Sequence, residues 1–244
     1  MIIIYLIHDL RALKACSLTC RSWYTPVLPH LHHTLTLVGN TRKIGRRELE
    51  PLSKLHELGL IPLVKEIRVN QKAGLLYWCE PQTFNPVDLG YFTTFMNVQA
   101  LRLQNLDIHR FIPGIERYFE HLSPTLRSIS LSCPRCTPRQ LSHFLSLFSN
   151  LDDIEIQGCN AYIPTTTKPE NLVPFSAPKL QGQLVVYNFS WVETWGHLIA
   201  LSGGLRFRYM ELGWSLGCTP VLFEACAKTL ETLRFCATDG SISK

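Results

Sequence analysis

One pentapeptide in the sequence has the residue types and spacing of a serine nucleophile. Gly213, Ser215 and Gly217 match the Gly-x-Ser-x-Gly turn that presents the catalytic serine of α/β-hydrolases, and they lie between a strand pattern and a helix pattern. That chemistry also needs an acid and then a histidine after the serine, and no histidine follows Ser215. We therefore expect a strand end, a turn and a helix start here, and we expect no enzyme activity.

Cysteines and histidines form two short clusters of the kind that can bind a metal ion. Cys133 and Cys136 are a Cys-x-x-Cys pair, but a structural zinc site needs a second pair at similar spacing, and none follows. His30, His32 and His33 have no carboxylate or thiol near them in sequence. The sequence therefore predicts no metal, no cofactor and no catalytic residue.

The composition is that of a folded chain with a modest positive charge. Of 244 residues, 46% are hydrophobic, and 24 basic against 19 acidic residues give a net charge of +5. Because the basic residues form no stripe interleaved with aromatic residues, we expect no nucleic-acid partner. The nine cysteines are scattered and odd in number, which favours free thiols in a reducing compartment, the cytoplasm or the nucleus. The apolar run at residues 2–7 is too short to span a membrane, so we expect no membrane partner.

A recurring hydrophobic pattern predicts the strands that would position polar side chains. Each unit is an apolar residue, a gap of two, and an alternating apolar pair, which is typical of a short half-buried strand. The spacing between units is close to the length of a leucine-rich repeat, with one degenerate copy at Leu184 and Val186. The regular units are Val64-x-x-Ile67-x-Val69, Val98-x-x-Leu101-x-Leu103, Leu126-x-x-Ile129-x-Leu131, Leu151-x-x-Ile154-x-Ile156, Phe207-x-x-Met210-x-Leu212 and Leu230-x-x-Leu233-x-Phe235.

Helix patterns separate these strands. Thr137, Pro138 and Gln140 have the order of a capping box with proline at the first helical position. Further helices are predicted from Leu49 to a stop at Gly59, from Val192 through Ile199, and from Thr219-Pro220 onward. Alternating strands and helices predict an α/β chain in which an irregular leucine-rich-repeat solenoid forms a curved parallel sheet.

The strand register predicts which side chains lie on the concave face of such a solenoid. The charges there change sign along the chain, from basic at Arg68 to acidic at Glu155 and back to basic at Arg234. We therefore expect a target protein with complementary, alternating charge. The predicted target-binding residues are Arg68, Arg102, Gln104, Ser130, Glu155, Gln157, Glu211 and Arg234.

The N-terminal stretch predicts short helices in front of the repeats. Ala12 to Trp23 has apolar residues three and four apart, and Ser17 is predicted to cap a second helix within it. Thr25-Pro26 is predicted to open a third helix. The alternation over Thr34 to Val38 predicts a strand where this head meets the body.

The order of residues in this stretch resembles the second half of the F-box, especially the fungal version. Where the family has an Ile-Ile-x-x-Leu helix and a His-Asp turn, this sequence has Ile3-Ile4-Tyr5-Leu6 and His8-Asp9, and the family's opening Leu-Pro-x-Glu is missing. The residues that carry the resemblance are Leu13-x-x-Cys16-x-Leu18-x-Cys20-Arg21-x-Trp23.

The resemblance implies a head at residues 1–37 and a repeat body at residues 38–244. It implies a substrate-recognition subunit of a Skp–cullin–F-box type ubiquitin ligase, whose head binds a Skp-family adaptor and through it a cullin. The missing opening leaves a second interpretation, a non-catalytic leucine-rich-repeat interaction scaffold with a non-functional F-box remnant. The candidate adaptor contacts are Leu6, Leu13, Leu18, Cys20 and Trp23.

Overall fold

The structure is a computed structural model that describes eleven stretches of the chain. The described residues are 9–39, 46–71, 94–104, 108, 119–132, 134, 136–158, 177–188, 192–202, 205–213 and 219–236. Leu6, Cys133 and residues 214–217 lie outside this set, so the predictions made for them stay predictions.

Eight parallel strands form one sheet in the described residues, and each strand is hydrogen-bonded to the next one along the chain. This confirms the predicted α/β class and the parallel pairing. The degenerate unit at Leu184 also forms a strand. The strands are β1 (Thr34–Gly39), β2 (Glu66–Gln71), β3 (Ala100–Gln104), β4 (Ser128–Ser132), β5 (Asp153–Gln157), β6 (Gln183–Tyr187), β7 (Tyr209–Gly213) and β8 (Thr232–Phe235).

The alternating apolar residues explain why the sheet has one buried face. Ile67, Leu101 and Ile129 pair in register across β2, β3 and β4, and each is essentially inaccessible to solvent. Ile154 and Leu184 continue this buried row across β5 and β6. Burying each such side chain stabilises the fold by about 1.5–3 kcal/mol. Because neighbouring strands and helices provide this burial, no single strand is stable without its neighbours.

The α-helices that follow the strands supply the other half of the core. Leu52, Phe144, Trp195 and Leu222 belong to the same buried cluster as the strand residues. The helices are α1 (Leu10–Thr19), α2 (Arg21–Leu31), α3 (Arg46–Glu57), α4 (Pro138–Leu145), α5 (Val192–Ser202) and α6 (Thr219–Cys226). None of the described helices is long and apolar enough to cross a membrane.

Local signals fix several helix ends where the sequence predicted them. The Thr137 hydroxyl accepts from the Gln140 N–H at 3.2 Å, and the Gln140 side chain accepts from the Thr137 N–H at 3.0 Å. This capping box starts α4 at Pro138, as predicted. Gly59 follows α3 with a φ of 65°, a conformation that glycine adopts without strain.

The helix starts predicted at Ser17 and at Thr25-Pro26 are both wrong. Ser17 lies inside α1, where its hydroxyl donates to the Lys14 carbonyl at 2.7 Å, and Asp9 is the residue that caps this helix. The break comes at Cys20, whose backbone is extended. Pro26 lies inside α2 and starts no third helix. Since Ser22 is exposed, water can satisfy the carbonyl that Pro26 leaves without a donor.

The predicted strand after the head is confirmed as β1, which pairs with β2 along its whole length. The boundary predicted between residues 37 and 38 therefore falls within this strand. The head has its own small interior, since Leu13 and Val27 are fully buried but lie outside the main core cluster. The division into two domains stays a prediction.

Candidate functional site

The face of the sheet opposite the core carries a row of mostly polar side chains, one from the middle of each strand. We call it the central row. Six of the eight predicted target-binding residues lie in it, and Gln104 and Gln157 lie in the next row toward the carboxyl ends of the strands. The central row consists of Thr36, Arg68, Arg102, Ser130, Glu155, Val185, Glu211 and Arg234.

At the start of this face, a buried carboxylate holds two arginines together. Glu66 lies on β2, and its side chain is only 8% exposed. It accepts hydrogen bonds from Arg68 Nη2 at 2.9 Å, from Arg102 Nε at 2.5 Å and from the Thr34 hydroxyl at 3.0 Å. The Glu66 cluster, defined as Glu66, Arg68, Arg102 and Thr34, therefore joins β1, β2 and β3 through side chains.

Electrostatics keep Glu66 ionised in this cluster. Burial by itself raises the pKa of the Glu66 carboxyl, but hydrogen bonds from Arg68 and Thr34 and the charge of Arg102 outweigh it. The net pKa lies below the ordinary value, so the carboxylate is charged at neutral pH. Two guanidinium groups around one carboxylate leave the cluster with one net positive charge.

A depression in the polar face lies beside the Glu66 cluster. Its volume is about 440 Å³, and it extends from β1 to β5. Arg68 and Arg102 line it at one end and Glu155 at the other, with serine and glutamine side chains around them. The lining residues are Thr36, Arg68, Val69, Arg102, Leu103, Gln104, Ser130, Ser132, Glu155 and Gln157.

A second carboxylate cluster lies farther along the sheet. Glu211 accepts hydrogen bonds from the hydroxyls of Tyr187 and Tyr209 and from Cys236 Sγ at 3.2 Å. These hydrogen bonds lower the pKa of the Glu211 carboxyl, and the bond from Tyr187 has the largest effect. The same bond raises the pKa of the Tyr187 hydroxyl. The Arg234 guanidinium stacks over the Tyr209 ring at 5.6 Å from its centroid. Glu211 and Arg234 are therefore engaged within the chain.

The sequence did not reveal two features of this face. Tyr187 was missed because β6 comes from the degenerate repeat, and its neighbour Val185 breaks the polar row. The anchoring role of Glu66 was also missed. The charge of Glu66 alone does not show that Arg68 on β2 and Arg102 on β3 converge on it. Alternation around the apolar Ile67 and Leu101 puts Glu66 and Arg102 on the same face, which is the signal that could have suggested the pairing.

The head presents the other group of predicted contacts. Leu18 is 86% exposed, and Cys20 is exposed at the break between α1 and α2. A hydrogen bond with Ser22 lowers the pKa of the Cys20 thiol. Trp23 is partly buried, whereas Leu13 is fully buried and packs inside the helix pair.

In the part of the chain that the structure describes, no group of three or more histidine, cysteine or acidic side chains is arranged to hold a metal ion. Comparison with family models, with curated proteins and with solved structures finds no match to this chain.

Proposed function

We propose that this chain is the substrate-recognition subunit of a Skp–cullin–F-box type ubiquitin ligase. In this proposal α1 and α2 dock on a Skp-family adaptor, which connects the chain to a cullin. The polar face of the sheet, as the concave side of an irregular leucine-rich-repeat solenoid, binds a target protein. The chemistry of ubiquitin transfer belongs to the ligase partners, so the chain itself needs no catalytic residue.

The observation that carries the adaptor part is the uneven distribution of apolar side chains in the helix pair. Leu10, Leu18 and Tyr24 are exposed, whereas only Leu13 and Val27 are fully buried. A short unit that exposes more large apolar side chains than it buries gains stability by covering them with a partner. Leu18 is also one of the positions through which the sequence resembles the F-box.

The repeat part is supported by the sheet. All seven strand pairings are parallel and join strands that follow each other in the chain. Consecutive strands begin some 23–34 residues apart, with helices between several of them. This alternation is the architecture expected of leucine-rich repeats. Loops and strand faces of such arrays offer extended surfaces for protein partners.

The alternative is a non-catalytic leucine-rich-repeat scaffold whose F-box remnant binds no adaptor. The burial of Leu13 favours it, because one predicted contact is then unavailable to an adaptor unless the helices rearrange. Both functions share the polar face as the target-binding surface and differ only in the role of the head.

The test is a calorimetric titration of the chain with a purified Skp-family adaptor. Leu18→Asp places a charge where the apolar contact is proposed and should weaken binding at least tenfold, because burying one leucine contributes about 1.5–3 kcal/mol. Leu58→Asp is the matched control, since Leu58 is also a highly exposed leucine but follows α3.

The ligase proposal is supported if the native chain binds adaptor, Leu18→Asp weakens this binding at least tenfold and Leu58→Asp leaves it intact. An absence of adaptor binding by the native chain refutes it and favours the scaffold.

A further inference from the structure

Among the described residues, the two arginines of the Glu66 cluster are held beside the depression with N–H groups that bond to no other side chain. A guanidinium has five N–H donors, and the contacts to Glu66 use Nη2 of Arg68 and Nε of Arg102. Because Glu66 already restrains both side chains, they lose less conformational entropy when they bind a ligand. A carboxylate is a group that guanidiniums bind through paired, charge-assisted hydrogen bonds.

Glu155 lies at the opposite end of the depression, and no cationic side chain of the described residues pairs with it. In the register it is separated from Arg102 only by Ser130, which corresponds to two strand spacings, or about 10 Å. Arg102 is turned toward Glu66 on β2 and therefore away from β5. Within the described residues, no side chain forms a hydrogen bond or ion pair with the Glu155 carboxylate.

We infer that this depression binds a peptide segment of a target protein that presents a carboxylate to Arg68 and Arg102 and a cationic side chain to Glu155. The inference rests on the proposed target-binding role of the polar face and specifies its chemistry. Ser130, Ser132 and Gln104 line the space between the charges and can hydrogen-bond the peptide backbone.

The spacing of about 10 Å between the strand positions of Arg102 and Glu155 favours one peptide conformation. A polyproline II segment places residues i and i+3 on the same side about 9.3 Å apart, which matches two strand spacings. An extended strand places i and i+2 about 6.6 Å apart, which is too short. A polyproline II backbone also forms no internal hydrogen bonds, so its polar groups are available to the serines and glutamines.

The probe is a labelled peptide of sequence Pro-Pro-Glu-Pro-Pro-Lys-Pro-Pro, and its affinity for the full chain is measured by fluorescence anisotropy. Three matched peptides replace the glutamate by glutamine, replace the lysine by methionine, or place glutamate and lysine side by side. The chain is used as native protein and as Arg102→Gln, Glu155→Gln and Arg127→Gln. Arg127 is an exposed arginine that precedes β4 and does not line the depression, so it controls for net charge.

The charge pairing predicts which combinations lose affinity. Glu155→Gln should weaken the Glu/Lys peptide about fivefold and leave the Glu/Met peptide unchanged. Arg102→Gln should weaken the Glu/Lys and Glu/Met peptides about tenfold and leave the Gln/Lys peptide unchanged. Arg127→Gln should bind all peptides like the native chain.

No saturable binding of the Glu/Lys peptide at millimolar concentration, or equal affinity for all four peptides, would overturn the inference. The adaptor titration on the same preparations separates the two proposals. A chain that binds adaptor but not peptide refutes the inference alone, and a chain that binds peptide but not adaptor refutes the ligase role alone.

Discussion

Removing the negative charge of Glu66 tests whether the Glu66 cluster stabilises the fold. Glu66→Gln keeps the shape of the side chain but leaves a buried amide facing two guanidinium groups. Hydrogen bonds to charged groups contribute about 1.5–3 kcal/mol when buried. The side chains of Arg68 and Arg102 are 48% and 54% exposed, so solvent screening lowers each pair to about 0.5–1 kcal/mol.

With about 1 kcal/mol for the badly paired buried amide, the expected loss is about 2 kcal/mol in the free energy of unfolding. For a chain of this size that corresponds to a decrease in Tm of about 4–8 °C. Urea unfolding followed by circular dichroism measures the loss directly.

Glu155→Gln is the matched control, because it makes the same chemical change on the same face, where the described part of the chain supplies no side-chain donor. Its effect should stay within about 0.5 kcal/mol. If Glu66→Gln costs no more than this control, Glu66 does not anchor the arginines, and the preorganised site described for the depression would have no basis.

Three further perturbations follow from the structure. The pKa of Glu66 is lower in the folded chain, so the free energy of unfolding should fall as the pH drops below 4.5, the ordinary pKa of a glutamate. In urea unfolding across pH 6 to 3, Glu66→Gln should show a smaller fall than the native chain. An equal dependence of the free energy of unfolding on pH in both proteins would contradict this. Gly182→Ala would place a Cβ against Asp153 Oδ1 and displace the hydrogen bond that this oxygen accepts from the Gln183 backbone N–H. The free energy of unfolding should fall by about 1–2 kcal/mol. Gly196→Ala, which has open space around the new Cβ in α5, should raise it by about 0.5–1 kcal/mol. Thr137→Ala removes the cap of α4 and should cost about 1 kcal/mol in the same unfolding assay; a loss below about 0.3 kcal/mol would show that the capping box is dispensable.

The sheet could be predicted from sequence because its signal is local and repeated. Each alternating pair, such as Leu101 with Leu103 or Ile129 with Leu131, puts two side chains on one face whatever the neighbours do. Parallel stacking of such units then determines the register. This is why the polar rows could be predicted from the sequence residue by residue.

The head and the side-chain contacts were harder to predict because competing signals decide them. Ser17 and Thr25-Pro26 are good helix starts in isolation, but the Asp9 cap and the extended Cys20 define the two helices instead. The convergence of Arg68 and Arg102 on Glu66 depends on rotamers that adjacent strands select together. Sequence periodicity carries no information about those rotamers.

In the proposed function the chain has two separate binding surfaces, the helix pair for an adaptor and the polar face for a target. Hydrogen–deuterium exchange of the chain with and without a purified Skp-family adaptor tests it most directly. The account predicts that adaptor protects backbone amides of α1 and α2 and leaves exchange in β2 to β5 unchanged. Protection of the strands instead of the helices, or no protection anywhere, would contradict it.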